Sequence, residues 1–479
     1  MKSRLAAGIF CMLASPLLSP TLYAQQAPIP TDLLGKPFLV KKTWIVGGFA
    51  SYDFLKLDSD NQQLLIARGP SVQVVDIDSG RLAGEIGGDG GPLQEAHAIA
   101  LDAKGEYGFI SDGKGNQVIA YDRQTLQVVA QIPTGPNPRA LTYDPASGLI
   151  FAVGGAPRSD HINAFLPGPD TTDQQRSRTE RISSPEPGSY AIPGMAQTPR
   201  THRQQPGSDS SSQIESVITM IDAENQQTMG TIILQGRAGF AQSDGQGRVY
   251  INIVDQGTIV RLDTQRIRTI LDHQTVPAIE NASAPANPAL PLNPTNARVS
   301  PAAVLWDFTG LIGKNQPPDG LIQMLPLSTR CSVPEGLAVD ARRQRLFVGC
   351  GNRVMAVINA ETGALITTLP TASGTGVVQY DGSRGLIFVA SGDNGGMLTV
   401  IRQDVNDSYN LVQNLPTSYR ARVLEVNPTT GDIYLASDGG QSEDQGLPSG
   451  PTRRPGQSEI TNAYPVARQS SFHVLVVSH

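Results

Sequence analysis

The sequence is poor in aromatic residues and has no large excess of charge. Phenylalanine, tyrosine and tryptophan make up 5% of its 479 residues, and the formal net charge is −6. Nucleic-acid binding depends on basic charge and aromatic stacking, so we expect no nucleic-acid partner. Beyond the N-terminal segment, no apolar run approaches the roughly 20 residues that span a bilayer, so we expect no membrane insertion.

Motifs of catalysis and metal binding are also missing. The chain has no His-x-His, no His-Glu-x-x-His, no aspartate-rich calcium loop, no haem-attachment Cys-x-x-Cys-His, no nucleophile elbow and no phosphate-cradling glycine loop. We therefore predict no cofactor and no resident metal. A metal held by Asp53, His97 and Glu335 is the less favoured alternative.

The N-terminus has the pattern of a secretory signal peptide. Lys2 and Arg4 precede an apolar stretch over residues 5–18, and polar residues follow. We predict a signal peptide over residues 1–24 and a linker over residues 25–40. The mature protein is then expected in the periplasm, with an extracellular location as the alternative.

Cysteine is scarce. Of the three cysteines, Cys11 lies within the predicted signal peptide, so that cleavage leaves Cys331 and Cys350. An even number in an oxidising compartment favours a disulfide over a metal site or a nucleophilic thiol. Closing this loop should contribute about 3 kcal/mol, which predicts a structural role.

Turn-forming residues are abundant, with 49 glycines and 36 prolines, and the chain is organised in repeats of about forty residues. Each repeat has a short apolar strand that ends in Asp or Asn, a polar turn, a second and a third apolar strand, and in most copies a fourth. The strand-end residues are Asp58, Asp102, Asp144, Asp244, Asp340, Asp381 and Asn427. Four antiparallel strands at this period form propeller blades, so the sequence predicts an all-β, seven-bladed β-propeller over residues 41–479.

The last repeat lacks a fourth strand, since it ends near Val477. A spare strand, Thr43–Val46, precedes the first complete blade. We predict that this N-terminal strand completes the last blade and closes the ring, which leaves no open sheet edge there.

Four segments carry a resemblance to a known family. They are Gly245–Asn252, Pro334–Asp340, Arg345–Cys350 and Phe472–Val477. These segments resemble the exported YVTN-type β-propeller proteins, and the similarity covers residues 43–155, 216–270 and 325–479. The resemblance implies the propeller fold and an exported location. It implies no shared chemistry that could be carried over residue by residue.

In a propeller the first strand of each blade lines the central channel. The loop entering that strand and the loop between the second and third strands then lie on one face, which we call the mouth face. Five residues before each strand-end residue lie the positions at the channel mouth: Asp53, His97, Arg139, Gly239, Glu335, Gly376 and Arg422. We predict that the five ionisable ones form a ligand-binding site, in which Arg139 and Arg422 recognise a carboxylate or phosphate. The alternative is that they pair with one another and hold water.

Three insertions interrupt the repeats, at residues 156–215, 272–319 and 439–470. The first and last fall between second and third strands, hence on the mouth face, and the middle one falls on the opposite face. Their composition favours disorder or extended structure, although Ala302–Leu311 is apolar enough to pack locally. One interpretation is that all three are tolerated surface insertions. The alternative is that the two mouth-face insertions bind a partner over the mouth.

These features predict a non-enzymatic, monomeric platform that binds an unidentified periplasmic protein or a small polar ligand at the mouth face. The alternative is an enzyme, either a lactonase-like hydrolase or a propeller subunit of a periplasmic redox complex. A hydrolase would need a metal or an acid–base pair at the mouth, and the sequence offers few candidates.

Overall fold

The computed structural model describes residues 36–47, 51–157, 214–273, 304–307, 318–438 and 472–479. The predicted signal peptide and most of the three predicted insertions lie outside these residues. The described strands form seven sheets, each built around four antiparallel strands, and the described ranges contain one helix. The predicted all-β, seven-bladed propeller is confirmed.

The strands are numbered in chain order. The first, β1, spans Leu39–Ile45. Blade 1 contains β2 (Leu55–Asp58), β3 (Gln63–Arg68), β4 (Ser71–Asp76) and β5 (Leu82–Gly87). Blade 2 contains β6 (Ala96–Leu101), β7 (Tyr107–Asp112), β8 (Gln117–Asp122) and β9 (Val128–Pro133). Blade 3 contains β10 (Pro138–Asp144), β11 (Leu149–Pro157), β12 (Ile214–Asp222) and β13 (Gln227–Gln235). Blade 4 and its insertion contain β14 (Ala238–Ser243), β15 (Arg248–Ile253), β16 (Thr258–Asp263), α1 (Thr264–His273), β17 (Val304–Asp307) and β18 (Ile322–Pro326).

The last three blades follow the same order. Blade 5 contains β19 (Pro334–Asp340), β20 (Arg345–Cys350), β21 (Val354–Asn359) and β22 (Leu365–Pro370). Blade 6 contains β23 (Thr375–Asp381), β24 (Leu386–Ser391), β25 (Met397–Gln403) and β26 (Tyr409–Pro416). Blade 7 contains β27 (Val423–Val426), β28 (Ile433–Ser437) and β29 (His473–Ser478), with β1 as its outer strand.

The core lies between neighbouring blades. The second and third strands of a blade are covered on both faces, which explains why they are continuous apolar runs rather than alternating ones. In β20, for example, Leu346, Phe347 and Val348 are all fully buried. Leu346 and Val348 pack toward blade 4, whereas Phe347 packs toward blade 6. The outer strand β22 is half-exposed and accordingly more polar.

The strand-end Asp and Asn residues organise the turn that follows each first strand. In every blade this side chain accepts a hydrogen bond from a turn amide, at 2.7–3.2 Å. Several also connect blades: Asp144 accepts from Ser243 Oγ of blade 4 at 2.7 Å, and Asp58 pairs with Arg123 of blade 2 at 2.7 Å. In five blades the third strand also ends in Asp or Asn, and this side chain caps the following turn; Asp122, for example, accepts from Thr125 N at 2.7 Å.

Ring closure by the N-terminal strand is confirmed, and β1 begins at Leu39, earlier than the predicted strand. It pairs antiparallel with β29, with Trp44 opposite Val474. The Trp44 ring stacks on Tyr434 at 5.5 Å and lies over Gly80 of blade 1, where a Cβ would come within 2.2 Å of the indole. Gly80 also has a φ of +70°, so both space and backbone conformation require glycine there.

The chain just before β1 is held by blade 6. The Phe38 amide donates to Gln413 Oε1 and its carbonyl accepts from Gln413 Nε2, each at 2.9 Å. Its ring meets Phe388 edge-on, with centroids 5.6 Å apart. The N-terminal segment therefore links blades 6, 7 and 1.

The insertion of blade 4 contributes structure that the sequence did not predict. Residues Thr264–His273, most of which precede the predicted insertion at residues 272–319, form the helix α1, which packs Ile267 and Leu271 into the core. Strand β17 pairs in parallel with β13 and gives blade 3 a fifth strand, in which Trp306 is buried. Of the segment Ala302–Leu311, which we expected to pack locally, residues 304–307 pair instead with the neighbouring blade, and the others lie outside the described residues.

Cys331 and Cys350 meet on the mouth face. Cys331 lies in the segment entering blade 5, and Cys350 ends β20. Their sulfurs are 2.00 Å apart, at disulfide distance, and both residues are buried. In the described ranges, no helix has the length and apolar character needed to cross a bilayer.

Candidate functional site

The first strands carry the predicted mouth residues to the same end of the channel. His97, Arg139 and Glu335 are the second residues of β6, β10 and β19. Asp53 and Arg422 lie just before β2 and β27. The structure divides these five residues into two groups, one on blades 1–3 and one on blades 5 and 7.

The first group is centred on Asp53. Its Oδ2 lies 2.7 Å from His97 Nδ1 and 3.5 Å from Arg139 Nη2. The short contact places a proton on His97 Nδ1, since a carboxylate can only accept. The Arg139 side chain is 59% exposed and makes no other ion pair with a described residue. Its guanidinium is therefore loosely held and open to a ligand.

His97 itself is oriented away from the solvent. It is 4% exposed, and its Nε2 is buried without a hydrogen-bond partner, 3.8 Å from Glu95 Oε2. A Cβ at position 113 would lie 2.5 Å from this nitrogen, so the ring packs against the Gly113 backbone. The Asp53–His97 pair therefore fixes the rim, and it does not present Nε2 to a molecule in the mouth.

The second group comprises Glu335 and Arg422, which are both exposed. Partial burial raises the pKa of Glu335, although the positive charges of Arg422 and Arg237 oppose this rise. The Arg422 guanidinium makes no hydrogen bond or ion pair with any residue in the described ranges. It is therefore less constrained than Arg139, whose Nη2 lies 3.5 Å from Asp53 Oδ2.

The glycine at mouth position 376 has a steric cause. A Cβ there would lie 2.2 Å from the carbonyl oxygen of Arg422, and the amide of Val377 donates to this same oxygen at 2.9 Å. The first strands of blades 6 and 7 thus touch backbone to backbone. Position 376 has no room for a side chain, because the Arg422 backbone occupies that space.

An aromatic contact closes the channel beneath the mouth. Phe54 of blade 1 and Phe240 of blade 4 follow mouth positions 53 and 239 directly, and their rings meet edge to face with centroids 5.5 Å apart. These blades lie on nearly opposite sides of the ring. These two rings therefore meet across the channel beneath the mouth, and we call their contact the aromatic floor.

Sequence reasoning missed a cluster beside the mouth, between blades 7 and 1. The Tyr52 hydroxyl donates to the Arg420 carbonyl at 2.6 Å, and its ring lies 5.1 Å from that of Phe472. The Arg68 guanidinium lies over the Phe472 ring, 3.9 Å from its centroid. Burial lowers the pKa of Arg68 to about 10. The Arg420 guanidinium pairs with Asp438 at 2.8 Å. The cluster packs the rim next to the end of β28, where the third predicted insertion departs.

The described part of the chain offers no arrangement of three or more His, Cys, Asp or Glu side chains suited to a metal ion. The alternative metal site would need Glu335 beside Asp53 and His97. In the structure Glu335 belongs to the other group, near Arg422 and Arg237.

Known structures agree with the fold. The RRP9 WD40 repeats superpose with a TM-score of 0.54 at 8% identity, over 91% of this chain and 97% of that one. U3-55K gives 0.53 at 9% identity over 90% and 97%, and a chain of the mitotic checkpoint complex gives 0.52 at 12% over 88% and 96%. At such identities the similarity concerns the fold alone. No protein-family model and no curated protein matches the sequence, so the YVTN-type resemblance stays a prediction.

Proposed function

We propose that this chain is an exported, non-enzymatic β-propeller that serves as a binding or scaffold platform. Its mouth face recognises an anionic group, carried either by a partner protein or by a small polar ligand. The observation that carries the proposal is the pair of arginines on opposite parts of the rim, Arg139 and Arg422. Within the described residues Arg139 has one ion-pair contact, with Asp53 at 3.5 Å, and is 59% exposed, whereas the exposed Arg422 has no ion-pair contact. Arginine forks bind carboxylates and phosphates in a bidentate way, which gives both affinity and orientation.

The rest of the mouth supports binding rather than turnover. The aromatic floor formed by Phe54 and Phe240 carries no acidic, basic or nucleophilic group. His97 has the partner of a general base in Asp53, but its second nitrogen is buried. A propeller chain within the mitotic checkpoint complex illustrates the use of this fold in a protein assembly, and the proposal extends that use to this chain.

Export to the periplasm is part of the same proposal. It rests on the signal-peptide pattern over residues 1–24. The Cys331–Cys350 pair at disulfide distance supports it, because disulfides persist in oxidising compartments.

A thermal-shift screen tests the function. The purified mature protein would be incubated with carboxylates, sugar acids, inorganic phosphate, nucleotides and divalent metals. A ligand that binds only the folded state raises the melting temperature. We expect anionic compounds to stabilise the protein and the Arg139→Ala, Arg422→Ala double variant to lose this response. Stabilisation by a divalent metal, together with lactone hydrolysis, would favour the hydrolase alternative instead.

A further inference from the structure

The channel contains a cavity on the other side of the aromatic floor. Its volume is about 170 Å³, and Phe54 and Phe240 form part of its wall. The remaining wall residues follow along the first strands, which run away from the mouth. The cavity is therefore separated from the mouth by the Phe54–Phe240 contact.

A second ring of polar residues surrounds this cavity. It occupies the positions two residues before each strand-end residue, and alanine fills two of the seven, Ala100 and Ala338. The polar members are Lys56, Thr142, Gln242, Gln379 and Glu425, and all five line the cavity. The rest of the wall consists of alanine, leucine, isoleucine and phenylalanine residues and one tyrosine, Tyr143. Polar side chains at one level of such a mostly apolar channel can fix the orientation of a small ligand.

Glu425 organises this ring. Its Oε1 accepts hydrogen bonds from Lys56 Nζ at 2.9 Å and from Leu57 N at 3.4 Å, and its Oε2 accepts from Gln379 Nε2 at 2.9 Å. The carboxylate is nearly buried, whereas the Lys56 side chain is 36% exposed. Because the two oxygens of one carboxylate hold them, the ammonium and the amide lie side by side on the cavity wall.

The hydrogen-bonding groups of Lys56 and Gln379 that Glu425 does not use define the chemistry of a ligand. Lys56 uses one of its three N–H donors on Glu425, and Gln379 Oε1 makes no hydrogen bond with a described residue. The wall therefore offers a donor next to an acceptor. The charges of Lys56 and Glu425 cancel, so an ionic ligand would gain little electrostatic stabilisation. A cation would be repelled by Lys56 and an anion by Glu425. A pair of neighbouring hydroxyl groups satisfies both sites, since each hydroxyl can donate and accept.

The cavity has its own entrance. Lys56, Gln379 and Glu425 also line a cleft of about 320 Å³, whose outer wall contains Ser59, Ser383 and other turn residues of the face opposite the mouth. A ligand can reach the ring from this face without passing the aromatic floor. At about 30 Å³ per water, the inner cavity holds about six waters, which corresponds to glycerol or a pentose.

We propose that the channel holds a second binding site, formed by Lys56, Gln379 and Glu425, for a small uncharged molecule with neighbouring hydroxyl groups. This site is distinct from the mouth and extends beyond the proposed function. It assigns a polyol or monosaccharide ligand to the face opposite the mouth.

Ligand-observed NMR on the mature protein tests this inference, with glycerol, ribose and glucose as the probes. We expect saturation transfer from the protein to at least one probe at millimolar concentration. Gln379→Leu removes one hydrogen bond and should weaken the probe about three- to tenfold. Ala100→Leu keeps the polar groups but narrows the cavity, and it should abolish binding. Circular dichroism and the melting temperature establish that each variant is folded.

The control is the Arg139→Ala, Arg422→Ala double variant, which alters only the mouth and should bind the probe as the wild type does. A wild-type protein that shows no transfer to any of the three probes holds only water in the channel, which would overturn the inference. A probe whose affinity is unchanged by both Gln379→Leu and Ala100→Leu binds elsewhere, which also overturns it. Neither result affects the anion-binding test at the mouth, so the two proposals fail separately.

Discussion

Replacing Arg123 by methionine should destabilise the propeller strongly, because this side chain links blades 1 and 2 through a buried ion pair. The guanidinium is 3% exposed and forms two parallel hydrogen bonds with Asp58, from Nε to Oδ2 at 2.9 Å and from Nη2 to Oδ1 at 2.7 Å. It also contacts Asp60 at 3.0 Å and Asp102 at 3.6 Å. One guanidinium thus forms ion pairs with three carboxylates from two blades.

The expected loss follows from what remains after the substitution. Asp58 is 2% exposed, so its carboxylate would stay buried without its partner. Removing one member of a buried pair costs about 3–5 kcal/mol, out of about 5–15 kcal/mol for a whole domain. Methionine fills a similar volume, so the decrease in the free energy of unfolding reflects the missing charge and hydrogen bonds rather than a cavity.

The loss should depend on pH. Burial alone would raise the pKa of Asp58, but the hydrogen bonds from Arg123 and Asn61 hold it below its usual value. In the wild type this carboxylate stabilises the fold fully above its unfolded pKa of about 3.9, and the contribution is lost as the pH falls through the lower folded value. Without Arg123 burial dominates, the pKa rises, and protonation relieves the penalty. The difference between the two proteins should therefore be largest near pH 7 and shrink toward pH 4.

Urea unfolding at several pH values measures both effects. The control is Arg342→Met, which changes an exposed arginine and should stay within about 0.5 kcal/mol of the wild type. Adding Asp58→Asn to Arg123→Met should cost less than the sum of the single changes, because the two residues share one interaction. A loss below about 1 kcal/mol, or one that is the same at every pH, would refute the argument.

Three further predictions concern closure and packing. Mass mapping of the purified protein should find Cys331 joined to Cys350, and Cys350→Ser should cost about 3 kcal/mol without changing the circular dichroism spectrum; free thiols in the native protein would contradict this. Trp44→Ala should lower the free energy of unfolding by about 3–5 kcal/mol. An unchanged melting temperature would mean that the packing of β1 does not stabilise the closed ring. Gly376→Ala should destabilise the protein, because its Cβ would lie 2.2 Å from the Arg422 carbonyl oxygen; unchanged stability would show that the two strands can separate there.

The repeat made most of the fold predictable. Each strand-end residue, such as Asp340, accepts a hydrogen bond from its own turn, so the same residue recurs wherever the same turn recurs. The missing fourth strand of blade 7 likewise identified β1 as its replacement, since a blade without it would expose an edge. These are local rules that one sequence displays seven times.

Features that depend on distant parts of the ring were not predictable in the same way. The parallel strand β17 comes from an insertion in blade 4 but pairs with blade 3, and its short apolar segment carries no sign of that partner. The contact of Phe54 with Phe240 depends on the width of the channel, which no local pattern encodes. The inter-blade role of Arg123 similarly depends on how two blades pack.

The candidate site was predicted in part. Counting from the strand-end residues found the mouth, and the structure places Asp53, His97 and Arg139 in contact there. The same counting applied two residues before each strand end would have found the polar ring around Glu425. The burial of His97 Nε2 depends on the neighbouring Gly113 loop, which the count does not reveal.

The most direct test of the central claim is the affinity of the mouth for an anion. The anionic compound that most raises the melting temperature would be titrated by calorimetry into the wild type, the Arg139→Ala, Arg422→Ala variant and the control Arg342→Ala. Each bound arginine fork contributes about 1.5–3 kcal/mol, so the double variant, which loses both, should bind at least about a hundredfold more weakly. The control should match the wild type. Equal affinity in all three proteins would contradict the account and place the binding surface elsewhere.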